Sequence, residues 1–233
     1  MMDWDSGWFD GSIVERHMLA WRGVEAQHVV ATMRLADTPA EQRLLEQLLE
    51  GSKPLMPVTA QRQHFLLTTP FRYHPAHASR FRPARASGLW YGADTVFAVC
   101  AEVAYGRHRF ILDSAGLLDQ VSLTQHTLFQ AQIDGASIDL MALPWVQARA
   151  AWSHGSDDSA TQAVAAQAQQ RGVQWLAYES VRAPGRRCAV VLDPDSLSEP
   201  ACGLESTMQT WHCKATRDAV MFMRGRACFR WYP

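Results

Sequence analysis

The chain has 233 residues and a mass of 26.1 kDa, with 48% hydrophobic and 19% charged residues. That composition excludes a disordered chain and supplies enough core to fold without a disulfide or metal staple. Lys and Arg total 22 against 23 Asp and Glu, a net charge of -1, so a dedicated nucleic-acid binder, with its basic excess, is disfavoured.

Lys53 and Lys214 are the only lysines, so 20 of the 22 basic residues are Arg. A GC-rich genome accounts for such a bias, and it also supplies planar forks suited to phosphate or carboxylate. The five cysteines are odd in number and contain no CxxC pair, which disfavours a disulfide framework or a structural zinc site. The start, Met1-Met2-Asp3-Trp4-Asp5, has neither a basic n-region nor an apolar h-region, and no apolar run approaches 18 residues. The expectation is a soluble, cytoplasmic protein without a membrane span.

In chain order, the first sixty residues read as a helical extension. Ser12-Ile13-Val14-Glu15 has the form of a capping box. Thr38-Pro39-Ala40-Glu41 is a clearer start, with Thr as N-cap and Pro at the first helical position. Leu44, Leu45, Leu48 and Leu49 follow at helical spacing, and Gly51 and Pro54 end the segment. Ordinary core packing is the expected use of this stripe, with a partner-binding face, including a homodimer, as the alternative. Lys53 to Pro57 reads as a connector.

Short β runs then dominate. Strands are expected at His64–Thr69, stopped by Pro70, and at Gly88–Ala93. Asp94 is expected to cap a helix closed by Gly106, followed by strands at His108–Leu112 and Ser137–Leu143. Asp157 or Asp158 caps a helix over Ser159–Arg171 with Gly172 as its stop. Strands follow at Val173–Glu179, Arg187–Leu192, Thr207–Lys214, Ala219–Arg224 and Ala227–Tyr232, with Gly225-Arg226 as a hairpin turn. The sum is an α+β fold with mostly antiparallel sheets, flanking helices and a helical N-terminal segment.

Generic motifs are sparse. No dinucleotide-binding glycine fingerprint, phosphate loop or nucleophile elbow occurs. His74 and His77 lie three apart, but Pro75 argues against a helical metal pair. Ser180 in Tyr178-Glu179-Ser180-Val181-Arg182 lacks recognisable triad partners. Glu102 stands out because its helical neighbours are Ala98, Val99 and Ala101. A carboxylate among small apolar residues must be paired, or must face water or a ligand. An ion pair with Arg80 or Arg82 is the structural alternative to a catalytic role.

Six pieces, in order, resemble the RES domain, named for its Arg, Glu and Ser. They are Phe71-Arg72-Tyr73, Ser79-Arg80-Phe81, Leu89-Trp90-Tyr91, the helix from Thr95 to Glu102, Thr161-Gln162-Ala163 with Ala165, and Tyr178 to Arg182. The resemblance runs from about residue 70 to about residue 195. Two departures stand out: Arg187-Cys188 occupies the place where many members carry Asn, and about seventy residues precede the Arg-Tyr pair. The expected domains are the helical extension over residues 1–60, read from its capping and leucine spacing, and, as the resemblance implies, a RES-type NAD-binding catalytic domain over 61–233.

It also implies a fold like that of ADP-ribosyltransferase toxins, and a toxin that degrades NAD and is neutralised by a helical antitoxin over its active site. NAD is then the substrate, with inorganic phosphate as co-substrate or water in its place; neither a prosthetic group nor a metal is implied. The alternatives are mono-ADP-ribosyl transfer onto a macromolecule and a catalytically silent binding module. Cleaving the nicotinamide–ribose bond passes through an oxocarbenium-like state. Glu102 is the expected stabilising carboxylate. Arg80, Tyr91 and Ser180 complete the expected catalytic set, and Arg72, Tyr73 and Arg82 are expected to bind NAD, the arginines through its pyrophosphate. Nicotinamide leaves as a neutral group, so no general acid is required. A phosphate acceptor calls for a further Arg that the sequence does not single out.

Overall fold

Good helix formers build the first strand. In a computed structural model of the chain, which describes residues 4–26, 35–55 and 63–232, the strands among the described residues are β1 (Val14–Glu25), β2 (Trp90–Ala93), β3 (Ser122–Asp139), β4 (Trp175–Glu179), β5 (Arg187–Val191), β6 (Leu197–Ser198), β7 (Gln209–Ala215), β8 (Val220–Arg224) and β9 (Ala227–Trp231). β1 corrects the expectation of helix from Ser12. It pairs antiparallel with β3 over twelve positions, from Val14 opposite Ser137 to Glu25 opposite His126. That ladder and the burial of Met18 and Ala20 outweigh helix propensities of a few tenths of a kcal/mol per residue.

The sheet runs β1-β2-β5-β4-β3-β7-β8-β9, with β6 on β3, and the β1–β3 ladder joins the first strand back to the fifth. Only β3–β4 is parallel among the described pairs. β1 therefore belongs to the same sheet as the rest of the domain rather than to a separate helical extension. No helix among the described residues is long and apolar enough to cross a membrane.

The labelled helices are α1 (Ser6–Asp10), α2 (Pro39–Ser52), α3 (Phe65–Arg72), α4 (Val96–Leu112) and α5 (Ser159–Gln170). α2 starts at Thr38 as expected, with a complete capping box: Glu41 N–H donates to Thr38 Oγ1 at 3.2 Å, and Thr38 N–H to Glu41 Oε2 at 3.0 Å. Its leucines are not core, however. No α2 residue is buried, and Leu44, Leu48 and Leu49 are exposed.

α3 replaces the strand expected at 64–69. Pro70 sits inside it, and the helix holds because Leu67, Thr68 and Phe71 bury one face. α4 replaces both the Gly106 stop and the strand at 108–112, because buried His108 and Ile111 carry the helix on to Leu112. Its N-cap is Thr95, whose Oγ1 accepts from Ala98 N–H at 3.3 Å. Asp94 accepts instead from Arg187 N–H. α5 and the five C-terminal strands of the expected pattern appear within a residue or two.

Two apolar layers result. Trp90, Phe129, Trp175 and Val191 pack with Leu67 and Phe71 of α3. Val99, Leu128, Leu176 and Val164 join the other layer, beneath α4 and α5. Trp4, Phe9, Trp145 and Trp152 bind the N-terminus to this second layer. Trp4 Nε1–H donates to Ala160 O, and the Phe9–Trp145 ring centroids lie 4.8 Å apart.

Candidate active site

Glu102 of α4 lines a cavity of about 340 Å³ together with Tyr91 of β2 and Cys188 of β5. Ser180, just past the end of β4, fixes it. Ser180 Oγ accepts from Ala183 N–H at 2.9 Å and Arg182 N–H at 3.2 Å. With both lone-pair directions used, the hydroxyl proton goes to Glu102 Oε1 at 2.6 Å. Ser180 is therefore a positioning group with no oxygen lone pair left for nucleophilic attack. Glu102 Oε2 has no hydrogen-bond partner among the described residues, so one carboxylate oxygen is held and the other is free. The alternative ion pair with Arg80 or Arg82 does not form.

Arg80 also lines the cavity. Its guanidinium is anchored by donating to Trp152 O at 2.6 Å and His154 O at 3.3 Å. The turn that carries it is closed by reciprocal Ser79–Arg82 backbone bonds of 2.8 and 3.0 Å. The Thr161-Gln162 pair of α5 clamps that turn. Thr161 Oγ1 donates to Arg80 O, and Gln162 Nε2 donates to Ser79 O at 3.0 Å.

Tyr91 of β2 lines the cavity too, but its hydroxyl is occupied. It accepts from Phe81 N–H at 3.4 Å and shares a 2.9 Å bond with Ser79 Oγ. Burial pushes its pKa up. The hydroxyl fastens the Arg80 turn. Tyr178, whose phenol burial raises well above the ordinary range, packs on Phe81 at 4.7 Å between centroids.

Arg72, Tyr73 and Arg82 do not line this cavity. Arg72 donates to Glu50 Oε1 at 2.7 Å and to Pro54 O, binding α2 to α3. Tyr73 is the C-cap of α3, and its carbonyl accepts from Gly88 N–H at 2.8 Å. Arg82 is buried and spends its donors on the carbonyls of Pro75, Pro83, Ala86 and His77. These carbonyls tie the Arg82 guanidinium, through Nη1 and Nη2, to its own loop and away from the cavity.

The residue that sequence reasoning missed is Arg22 of β1. It lines the cavity, donates from Nη1 to Tyr91 O at 2.9 Å and sits 5.3 Å from the Trp90 ring. Its Nε is buried without a partner, and no carboxylate pairs with it among the described residues. Burial pulls its pKa down to about 10, so it stays cationic at neutral pH. Reading the first sixty residues as helical hid it, because no helical pattern brings residue 22 beside residue 102. Gly23, next to it, allows β1 to approach α4: a Cβ there would come within 2.9 Å of Val99 Cγ1.

Cys188 fills the position left open by the departure at Arg187-Cys188. It lines the cavity, and burial, then Glu102, push its thiol up to about 12. It is a neutral wall group. Arg187 turns away to Asp139 Oδ2 at 3.2 Å. The cavity thus combines a half-held carboxylate, an anchored arginine and a partly buried arginine with no carboxylate partner among the described residues. That set suits a substrate bearing both an anionic group and a centre that develops positive charge.

The RES domain family model matches residues 56–214. Among solved structures, the chain is similar to one in the crystal structure of the M. tuberculosis MbcT–MbcA toxin–antitoxin complex. Identity is 16% and the TM-score 0.49, with 91% of this chain and 94% of that chain covered. No curated protein matches the chain.

Proposed function

The chain belongs to the RES domain family, and from that premise we propose that it is a toxin-type enzyme that cleaves the nicotinamide–ribose bond of NAD, with inorganic phosphate as acceptor. The observation that carries this reading is the cavity itself. Glu102, held by Ser180 through one oxygen, shares it with Arg22, a partly buried cation with no carboxylate partner among the described residues.

In this reading the pyrophosphate of NAD takes the open partner position on Arg22, and Arg80 supplies a second fixed cation. The nicotinamide ribose then lies against Glu102. As the bond from the anomeric carbon to the pyridinium nitrogen breaks, its electron pair passes to that nitrogen and nicotinamide leaves neutral. Positive charge grows on the ribose, where the free Glu102 oxygen stabilises it; preorganised charge of this kind contributes several kcal/mol. A phosphate oxygen then bonds to the anomeric carbon, giving phosphorylated ADP-ribose. Water in the same role gives ADP-ribose. A helical antitoxin that covers the cavity mouth would keep NAD out.

Incubation of purified protein with NAD, with and without phosphate, tests the proposal by product identification. Phosphate-dependent release of nicotinamide with phosphorylated ADP-ribose is expected. ADP-ribose formed equally without phosphate makes water the acceptor. A labelled macromolecule shifts the reading to ADP-ribosyl transfer, and no NAD loss in antitoxin-free protein contradicts enzymatic activity.

A further inference from the structure

A second cavity, of about 400 Å³, adjoins the first between β1 and α4. Gly23 and Val103 line both, so the two cavities adjoin there and flank one stretch of β1 and α4. The second cavity is walled by Gly106, Arg107 and Phe110 of α4 and by Glu25 of β1. Positions 99, 103, 106 and 110 lie on one helix face. From Glu102 to Phe110 the helix advances about 12 Å at 1.5 Å per residue. Arg22, next to Gly23 in β1, lines the first cavity.

We infer that this second cavity binds the adenosine half of the dinucleotide. The inference rests on NAD being the substrate. Three features of the two cavities support it. The 340 Å³ site around Glu102 lies at the small end of the range for ligand pockets, and a dinucleotide carries a second nucleoside that needs its own room. Arg22, whose Nε has no partner among the described residues, marks the place for the charged middle of the ligand, which sends the two nucleosides to opposite sides of it.

The walls of the second cavity also fit an uncharged aromatic base. Phe110 is 56% exposed and offers a free ring face. Gly106 leaves space beside it, since a Cβ there would meet nothing within 4 Å. The Arg107–Glu25 ion pair lines the same cavity and offers a carboxylate and guanidinium to ribose hydroxyls.

Calorimetric titration of AMP and of nicotinamide mononucleotide into the full chain tests this, with Gly106→Trp to fill the second cavity and Phe110→Ala to remove the stacking ring. Both positions are open to solvent or to the cavity, and unfolding midpoints check that the variants fold. AMP should bind the wild type and lose at least tenfold in affinity in each variant, while nicotinamide mononucleotide shifts less than twofold. NAD turnover should suffer through KM rather than kcat. No AMP binding to the wild type, or equal binding to the variants, overturns the subsite. If AMP binding behaves as expected but NAD is never consumed, the cleavage reading fails and the nucleotide subsite stands.

Discussion

Glu102 and Ser180 divide their work by hydrogen-bond arithmetic. Ser180 Oγ has two N–H donors and one proton to give, so it can only hold Glu102. Ser180→Ala should therefore lower NAD turnover by freeing the carboxylate. It should also destabilise the fold by about 1–3 kcal/mol, because the Ala183 N–H loses its buried acceptor. Denaturant titration beside steady-state kinetics separates the two effects. Arg22 makes the opposite prediction. Arg22→Met removes a partly buried charge that has no carboxylate partner among the described residues, which offsets the lost bond to Tyr91 O. Stability should change by less than about 1 kcal/mol, while KM for NAD rises at least tenfold. A large stability loss with unchanged KM would make Arg22 a purely structural residue.

At the scale of elements, the arginines sort by what their helix or turn gives them to hold. Arg72 binds α2 to α3 through Glu50 and Pro54. Arg72→Ala should leave KM for NAD within twofold of wild type, measured in the same assay. Much of the site was legible locally. Glu102 among small residues, Ser180 after a strand and Arg80 before the Tyr91 strand all lie on elements of the expected order. The Thr161-Gln162 helix was also legible, and its work is to clamp the Arg80 turn.

What was not legible depends on partners distant in sequence. β1 contains helix formers and becomes a strand only through β3, more than a hundred residues away, so Arg22 was invisible. α4 runs past Gly106 because His108 and Ile111 find buried surroundings, one of which is the Arg217 carbonyl, 2.8 Å from the His108 ring. The leucines of α2 show the converse error: a helical apolar stripe was expected to be core, and it faces outward.

At the scale of the whole molecule, β3 is the organiser, pairing with β1, β4, β6 and β7. Its His126 is buried beneath Phe222 and accordingly pulled down from 6.5 to about 4, by burial first and Arg107 second. Above pH 6.5 His126 is neutral in both the folded and the unfolded chain. Between about 6.5 and 4 the unfolded chain takes up a proton that the folded chain refuses. Stability should therefore fall through that window, by at most about 3 kcal/mol from this residue. Denaturant midpoints across pH should show His126→Gln losing that part of the slope.

The same sheet brings Arg22 from residues before the family match to the Glu102 cavity, so the protein acts as one unit from β1 onward. The most direct test of that unit is nicotinamide release from NAD by wild type and Glu102→Gln, at matched concentrations of folded protein. We expect wild type to release nicotinamide and the variant to fall by a hundredfold or more with its unfolding midpoint nearly unchanged. A folded Glu102→Gln protein that releases nicotinamide at the wild-type rate would contradict the assignment of this cavity as the active site.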